Sequence, residues 1–244
     1  MSIKPKKVLK IIAGVVIFFT LPTLLLFGYM YIKHNEDLPV GIHGEPADAL
    51  ANKMLDALDY QAYKNTNNIE WTFKKRHHYE WDKANNICNV YWKNNKVVLN
   101  LNDTSKSEVY IDNTLHQSDS NKALIEQAVS YFNNDSFWLV GPYKVFDVGV
   151  QRQLVKTDSN NDALLITYNS GGSTPGDSYL WILDENYKPT AFKMWVSILP
   201  IEGLEASWSD WTTTESGAQL PTFHKFLFFG LEIDNIKTSN QIIL

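Results

Sequence analysis

The 244-residue sequence contains a single cysteine, Cys88. One thiol excludes a disulfide within the chain and a cysteine-rich zinc site. The sequence also lacks GxSxG, HExxH and CxxC, the short motifs of common hydrolases, metalloproteases and redox proteins. Apolar residues make up 44% and charged residues 20%, so we expect a folded chain whose core is large enough to need no disulfide.

Acidic side chains are missing from residues 1–34, which carry five lysines. The other residues carry 17 basic and 27 acidic side chains, and their net charge of −10 repels the phosphates of nucleic acids. The basic run Lys74-Lys75-Arg76 interrupts this acidic surface. Three adjacent cations usually mark a solvated strand end, so we expect no nucleic-acid partner.

Charged residues are also absent from the 22 residues 11–32. As a helix this run would span roughly 33 Å, which matches the hydrocarbon thickness of a bilayer. Four lysines precede the run, whereas Lys33, His34, Glu36 and Asp37 follow it, so the positive-inside rule predicts a cytoplasmic N-terminus. The chain then divides into a cytoplasmic basic segment (1–10), one transmembrane helix in the cell (inner) membrane (11–32), a linker (33–46) and an extracytoplasmic domain (47–244).

A cleaved signal peptide is the alternative explanation of this run. Its apolar core would be about 7–15 residues long and would end in a small-x-small cleavage site. The run here is longer, and its end reads Leu26-Phe27-Gly28-Tyr29-Met30-Tyr31, without such a site. No cysteine follows closely to accept a lipid. These features favour an uncleaved signal-anchor.

Two periodicities organise the outer domain. Apolar residues at spacings of three and four predict a helix over 47–58 and another over 121–132. An irregular aromatic stretch that includes a short helix and a packed loop is expected over 132–143. The other segments alternate with a period of two and predict antiparallel strands joined by Asn- and Asp-containing turns. We expect these strands at 69–73, 77–81, 87–92, 96–101, 108–112, 148–156, 163–168, 178–184, 191–199, 204–211, 220–229 and 231–237.

This order of elements, over residues 47–240, resembles the LolA/LolB lipoprotein-carrier fold. The segments 133–138 and 170–179 also look like parts of bacterial membrane-anchored proteins. The resemblance implies a mainly β, α+β domain in which an antiparallel sheet of about eleven strands curves into an open half-barrel. A few helices would cover its apolar hollow. Family carriers are soluble or held by lipid, whereas this chain has a protein anchor, and no functional residue transfers from the family.

The aromatic residues suggest what such a hollow would bind. All eight tryptophans lie between residues 71 and 211, and an apolar cavity for an acyl chain would need such a lining. Core packing alone is the competing explanation. The candidate ligand-binding residues are Trp71, Phe73, Tyr79, Trp81, Trp181 and Met194.

Polar candidates are fewer. Asp135, and Asp177 in the glycine-rich segment 170–178, are expected in polar loops. His78, Glu80 and Asp82 share one face of a predicted strand, but a solvated polar face explains them, and we expect no metal and no cofactor.

The sequence therefore predicts a non-enzymatic, single-pass membrane protein that binds a hydrophobic small molecule, a lipid or a lipidated protein. Residues 11–32 would hold it in the bilayer. Two alternatives stay open. One is a non-catalytic envelope interaction module with a filled core and an exposed apolar patch. The other is a hydrolase, in which Asp135 and Asp177 would cluster with His224 or His116.

Overall fold

The structure is a computed structural model that describes residues 5–170 and 174–241. Helix α1 (Pro5–His34) is continuous through Pro22. Within the described residues, one helix, Lys6–His34, is long and apolar enough to cross a membrane. This is consistent with single-pass anchoring.

The rest of the described chain contains three further α-helices and fourteen strands. The helices are α2 (Glu45–Ala57), α3 (Tyr60–Asn65) and α4 (Asn121–Val140), and Thr104–Lys106 and Gly141–Lys144 are short 3₁₀ helices. The strands are β1 (Asn68–Phe73), β2 (His77–Asp82), β3 (Ile87–Trp92), β4 (Asn95–Asn100), β5 (Glu108–Ile111), β6 (Thr114–His116), β7 (Val150–Lys156), β8 (Asp162–Tyr168), β9 (Ser178–Leu183), β10 (Pro189–Trp195), β11 (Leu204–Ser207), β12 (Ser209–Thr213), β13 (Gln219–Phe226) and β14 (Phe229–Ser239).

These strands form one curved, unclosed antiparallel sheet. Its order is β6-β5-β4-β3-β2-β1-β14-β13-β11-β10-β9-β8-β7, and β12 pairs with β13. The two halves meet where β1 pairs with β14, and the register shifts there between Glu70 and Thr72. The predicted mainly β fold class is confirmed, although the sheet has fourteen strands where we expected about eleven.

The extra strands have simple physical origins. Strand β6 has only three residues, too few for alternation to be recognised. The segment 204–211, predicted as one strand, is interrupted at Trp208. The part before it, β11, pairs with β10, and the Trp208 backbone N–H still bonds to the Thr190 carbonyl of β10, whereas β12 after it pairs with β13. Asp210, two residues further on, has a left-handed φ of 52°. The strand predicted over 191–199 is also shorter, because β10 ends at Trp195.

Helix α4 is the main correction to the sequence prediction. We expected an irregular stretch after Phe132, but α4 continues to Val140 and buries Phe132, Asp135 and Leu139. The helix packs against β4, β5 and β13, strands from both halves of the sheet. It therefore spans the concave face, where most of the hydrophobic core lies.

The segment between α1 and α2 is attached to the domain at two places. Near α1, the Glu36 carboxylate forms an ion pair with Lys193, with a closest N–O distance of 2.6 Å, and its carbonyl accepts from Trp195 Nε1. Farther along, Ile42 pairs with Leu154 on the edge strand β7. Gly41 permits this contact, since a Cβ atom there would lie 2.5 Å from the Leu154 carbonyl oxygen. The predicted linker (33–46) therefore contacts the sheet at two strands, β10 and β7.

Candidate functional site

The predicted ligand-binding residues line the concave face in two groups. Trp71, Phe73, Tyr79 and Trp81 belong to β1 and β2, and Trp181 and Met194 belong to β9 and β10. All are buried except Trp81, which is partly buried. The structure thus places these six side chains on the inward face of the sheet, and their role in ligand binding stays a prediction.

Aromatic rings pack closely in both groups. In the first, Trp71 stacks on Tyr79 with ring centroids 4.4 Å apart, and Phe132 of α4 meets Trp81 at 5.3 Å. In the second, Phe137 of α4 lies 5.9 Å from Trp181. Phe132 of α4 therefore packs against the first aromatic group and Phe137 against the second. Helix α4 covers the concave face of the sheet over both groups.

Several buried polar atoms in this interior have no hydrogen-bond partner among the described residues. They are the indole Nε1 of Trp71, Trp81, Trp181 and Trp208 and the hydroxyl of Tyr168. Two other tryptophans differ: Trp195 donates to Glu36 and Trp211 donates to the Pro189 carbonyl. Leaving a buried donor unpaired costs about 1–3 kcal/mol, and native cores rarely do so. Five unpaired hydrogen-bond donors, four indole N–H groups and one hydroxyl, are therefore grouped in the interior.

Asp135 lies in α4 and is buried, which corrects its expected place in a polar loop. Its carboxylate accepts three hydrogen bonds, from Tyr79 Oη at 2.6 Å, His77 Nδ1 at 2.7 Å and Asn134 Nδ2 at 2.7 Å. Burial and the neighbouring carboxylate raise the pKa of Tyr79, so this phenol remains a neutral donor. Asp135 is thus a well-satisfied buried acceptor that joins α4 to β2.

His77 connects this carboxylate to the surface. Its side chain is 18% exposed, and its ring lies flat on Tyr131 at a centroid distance of 3.9 Å. Both residues line a cleft of about 350 Å³ between α4 and the turn that joins β1 to β2. The lining consists of Phe73, Lys74, Arg76, His77, Ser130, Tyr131, Asn134 and Asp135.

Sequence reasoning missed this cleft, although one signal for it was present. Alternation puts His77 on the same strand face as Tyr79 and Trp81, the face that packs inward. An imidazole on an apolar face needs a polar partner, and that partner is Asp135, 58 residues away. The adjacent His78 faces the other way and bonds to Thr72 Oγ1 at 3.0 Å.

The polar face around His78 forms a network of its own. Glu80 accepts hydrogen bonds from Asn89 and Tyr91, and Asp82 accepts from Asn85. Over residues 5–170 and 174–241, no group of three His, Cys, Asp or Glu side chains is arranged to hold a metal ion.

Asp177 is buried at the base of the glycine-rich segment, of which residues 171–173 lie outside the described residues. Its carboxylate accepts from Thr174 Oγ1 and from the Ser197 backbone N–H, and so ties two loops together. The histidines of the hydrolase alternative have other partners: His224 Nδ1 bonds to the Ser207 carbonyl and His116 to Asn121. The histidine that contacts Asp135 is His77, and neither His224 nor His116 was found to bond to it in the described residues.

Comparison with known proteins adds one weak likeness. No family model matches the sequence, and no curated protein matches it. One similar solved structure is a DUF1329 family protein from Desulfovibrio piger, with 7% identity and a TM-score of 0.40. The match covers 80% of this chain and 94% of that one.

Proposed function

We propose that this protein is a membrane-anchored, extracytoplasmic binding protein that holds a hydrophobic ligand inside its half-barrel. The ligand class is a lipid or the acyl chain of a lipoprotein, as in the LolA/LolB carriers that the sequence resembles. The observation that carries the proposal is a set of four buried indole N–H donors on or beside the concave face, for which the described residues provide no acceptor.

The unpaired indole N–H donors indicate that the ligand carries hydrogen-bond acceptors. A purely structural core gains nothing from unpaired indole N–H groups, whereas an acyl ester or amide brings carbonyl acceptors together with its chain. Burial of the chain would contribute about 25 cal/mol per Å² of apolar surface. The proposed ligand is therefore apolar along most of its length and carries carbonyl groups.

Entry requires α4 to act as a lid. Phe132 and Phe137 fill the two halves of the hollow, so a shift of α4 withdraws both rings at once. The lysines before the membrane span and the acidic net charge after it support a cytoplasmic N-terminus and an outer binding domain.

Native mass spectrometry of the full chain, purified from its host in mild detergent, tests this function. We expect a bound species of lipid mass that persists after detergent is stripped in the gas phase. A peptide of residues 1–44 is the matched control, since it keeps the anchor with its surrounding lipid but lacks the domain. Equal lipid retention by the peptide, or an empty full chain, would argue against the proposal.

A non-catalytic interaction module is the second candidate, and the close ring packing favours it. Trp71, Tyr79 and Trp181 are completely buried by protein side chains. In that case the partner would bind the exterior of the domain, where Ile198, Phe228 and Phe229 are exposed. A full chain that is always empty but captures an envelope protein through these residues would support this second function.

A further inference from the structure

The turn between β1 and β2 has an unusual backbone for its sequence. Lys74 and Lys75 both adopt left-handed conformations, with φ of 52° and 56°, and Arg76 N–H donates to the Phe73 carbonyl. Tight hairpins usually place Asn and Gly at such positions, since lysine is strained there. Strain of this kind concentrates at functional sites. Here it presents a run of cations at the end of the strand pair.

The three cations of this turn have different surroundings. Lys75 forms an ion pair with Glu232 at 3.0 Å. Lys74 and Arg76 line the cleft, and neither side chain has an ion-pair partner within the described part of the chain. Arg76 is also one of only two arginines in the sequence. Two cations without an ion-pair partner among the described residues thus face one cleft, although residues 35–244 carry a net charge of −10.

The other cleft residues add hydrogen-bond donors. Asp135, the acid in the lining, is 3% exposed and already accepts three hydrogen bonds. It binds His77 through Nδ1, which leaves Nε2 as the ring atom for a ligand. The Tyr131 hydroxyl accepts from Gln127 and so retains its own hydrogen for donation.

We propose that this cleft binds a phosphate group. The planar guanidinium of Arg76 can donate two parallel hydrogen bonds to phosphate oxygens, and Lys74 supplies a point charge. The Tyr131 hydroxyl adds a further donor to the tetrahedral anion, and His77 Nε2 is the ring atom that remains available beside it. Asp135 acts as a positioning residue, because it orients the imidazole without touching the phosphate.

The phosphate has two chemical sources, a phospholipid headgroup or a soluble phosphate ester. The β1–β2 turn lies at the same end of the antiparallel sheet as the β10–β11 loop, since the strands between them alternate in direction. Glu202 in that loop accepts from the Glu36 N–H, two residues after α1 ends. Across the sheet the two places are four strand spacings of about 4.8 Å apart, and both lie at the end where α1 joins the domain.

Histidine NMR on the full chain tests the proposal. The protein, labelled at its six histidines, is kept in dodecyl maltoside, a detergent without phosphate. One arm adds glycerol 3-phosphate and the other adds mixed micelles with phosphatidic acid, with matched potassium chloride as the blank. The His77 signal is assigned with His77→Gln. We expect a saturable shift of this signal in at least one arm, and the responding arm identifies the source.

Matched variants distinguish phosphate binding in the cleft from nonspecific electrostatic attraction to the cations of the turn. We expect the double variant Lys74→Gln/Arg76→Gln to weaken phosphate binding at least about tenfold. Lys75→Gln removes an equal charge from the same turn but outside the cleft, and we expect less than about a threefold loss. The absence of a saturable shift in both arms, or an equal loss in Lys75→Gln, would overturn the proposal. Neither result depends on whether an acyl chain occupies the half-barrel.

Discussion

His77 of β2 and Asp135 of α4 are joined by a 2.7 Å hydrogen bond between Nδ1 and Oδ2, with the carboxylate buried and the imidazole at the surface. This pair fixes the proposed lid to the sheet at the edge of a charged cleft. The bond joins α4 to β2, and it has to break when α4 shifts to admit a ligand.

Replacement of Asp135 should therefore destabilise the fold. We expect Asp135→Asn to lower the free energy of unfolding by about 2–4 kcal/mol, because Tyr79 and His77 lose a buried charged acceptor. Urea denaturation of the full chain in detergent measures this. Asp112→Asn, at an exposed turn, is the control, and an equal effect of both variants would show that the pair contributes nothing specific.

A double-mutant cycle isolates the pair itself. We expect His77→Gln and Asp135→Asn to be non-additive by about 0.5–3 kcal/mol, the range found for residues that share a hydrogen bond. Additive effects would mean that the two side chains act independently despite their contact.

The stability of the domain should fall in mild acid through His224. Burial lowers the pKa of His224 to about 4, from an ordinary value of 6.5. The unfolded chain therefore binds a proton between these values while the native chain does not, so stability is lost as pH falls from 6.5 towards 4. The loss contributed by this residue is about 3 kcal/mol. Denaturation at pH 7 and pH 4.5 measures it, and a variant His224→Asn with an unchanged pH slope would contradict the assignment.

The segment between α1 and α2 should detach from the sheet in Gly41→Ala. The new Cβ would meet the Leu154 carbonyl oxygen at 2.5 Å, too close for the Ile42–Leu154 pairing to persist. Hydrogen exchange at the Ile42 and Leu154 amides should become faster. Gly28→Ala, with open space around it in α1, should leave both amides protected. Unchanged exchange in Gly41→Ala would mean that the contact is not tight.

The sequence predicted those parts of the fold that rest on local periodicity. Burial alternates cleanly along β1 and β3, and α2 buries the predicted Ala47, Leu50, Ala51, Met54 and Leu55. Helix α4 was cut short in the prediction because Asn133, Asn134 and Asp135 are weak helix formers. In the fold, Asp135 is satisfied by β2, so tertiary contacts outweigh local preference.

The candidate sites likewise consist of features that local periodicity predicts and features that depend on contacts between distant parts of the chain. The inward orientation of Trp71, Tyr79 and Trp181 follows from strand alternation alone. The pairing of His77 with Asp135 does not, since it joins a strand to a helix 58 residues later. Likewise, the position of Lys74 and Arg76 at the cleft depends on left-handed turn residues that the sequence does not signal.

Quenching of tryptophan fluorescence by brominated lipid tests the central claim most directly. All eight tryptophans lie between residues 71 and 211, so the fluorescence of the full chain in bilayers with brominated acyl chains reports only on the domain that follows the anchor. Trp195 lies beside Glu36 near the membrane, whereas Trp181 is completely buried in the half-barrel. If the half-barrel holds an acyl chain, quenching will survive in Trp195→Phe and will decrease in Trp181→Phe. Quenching that is absent, or that disappears in Trp195→Phe, would contradict the proposed function.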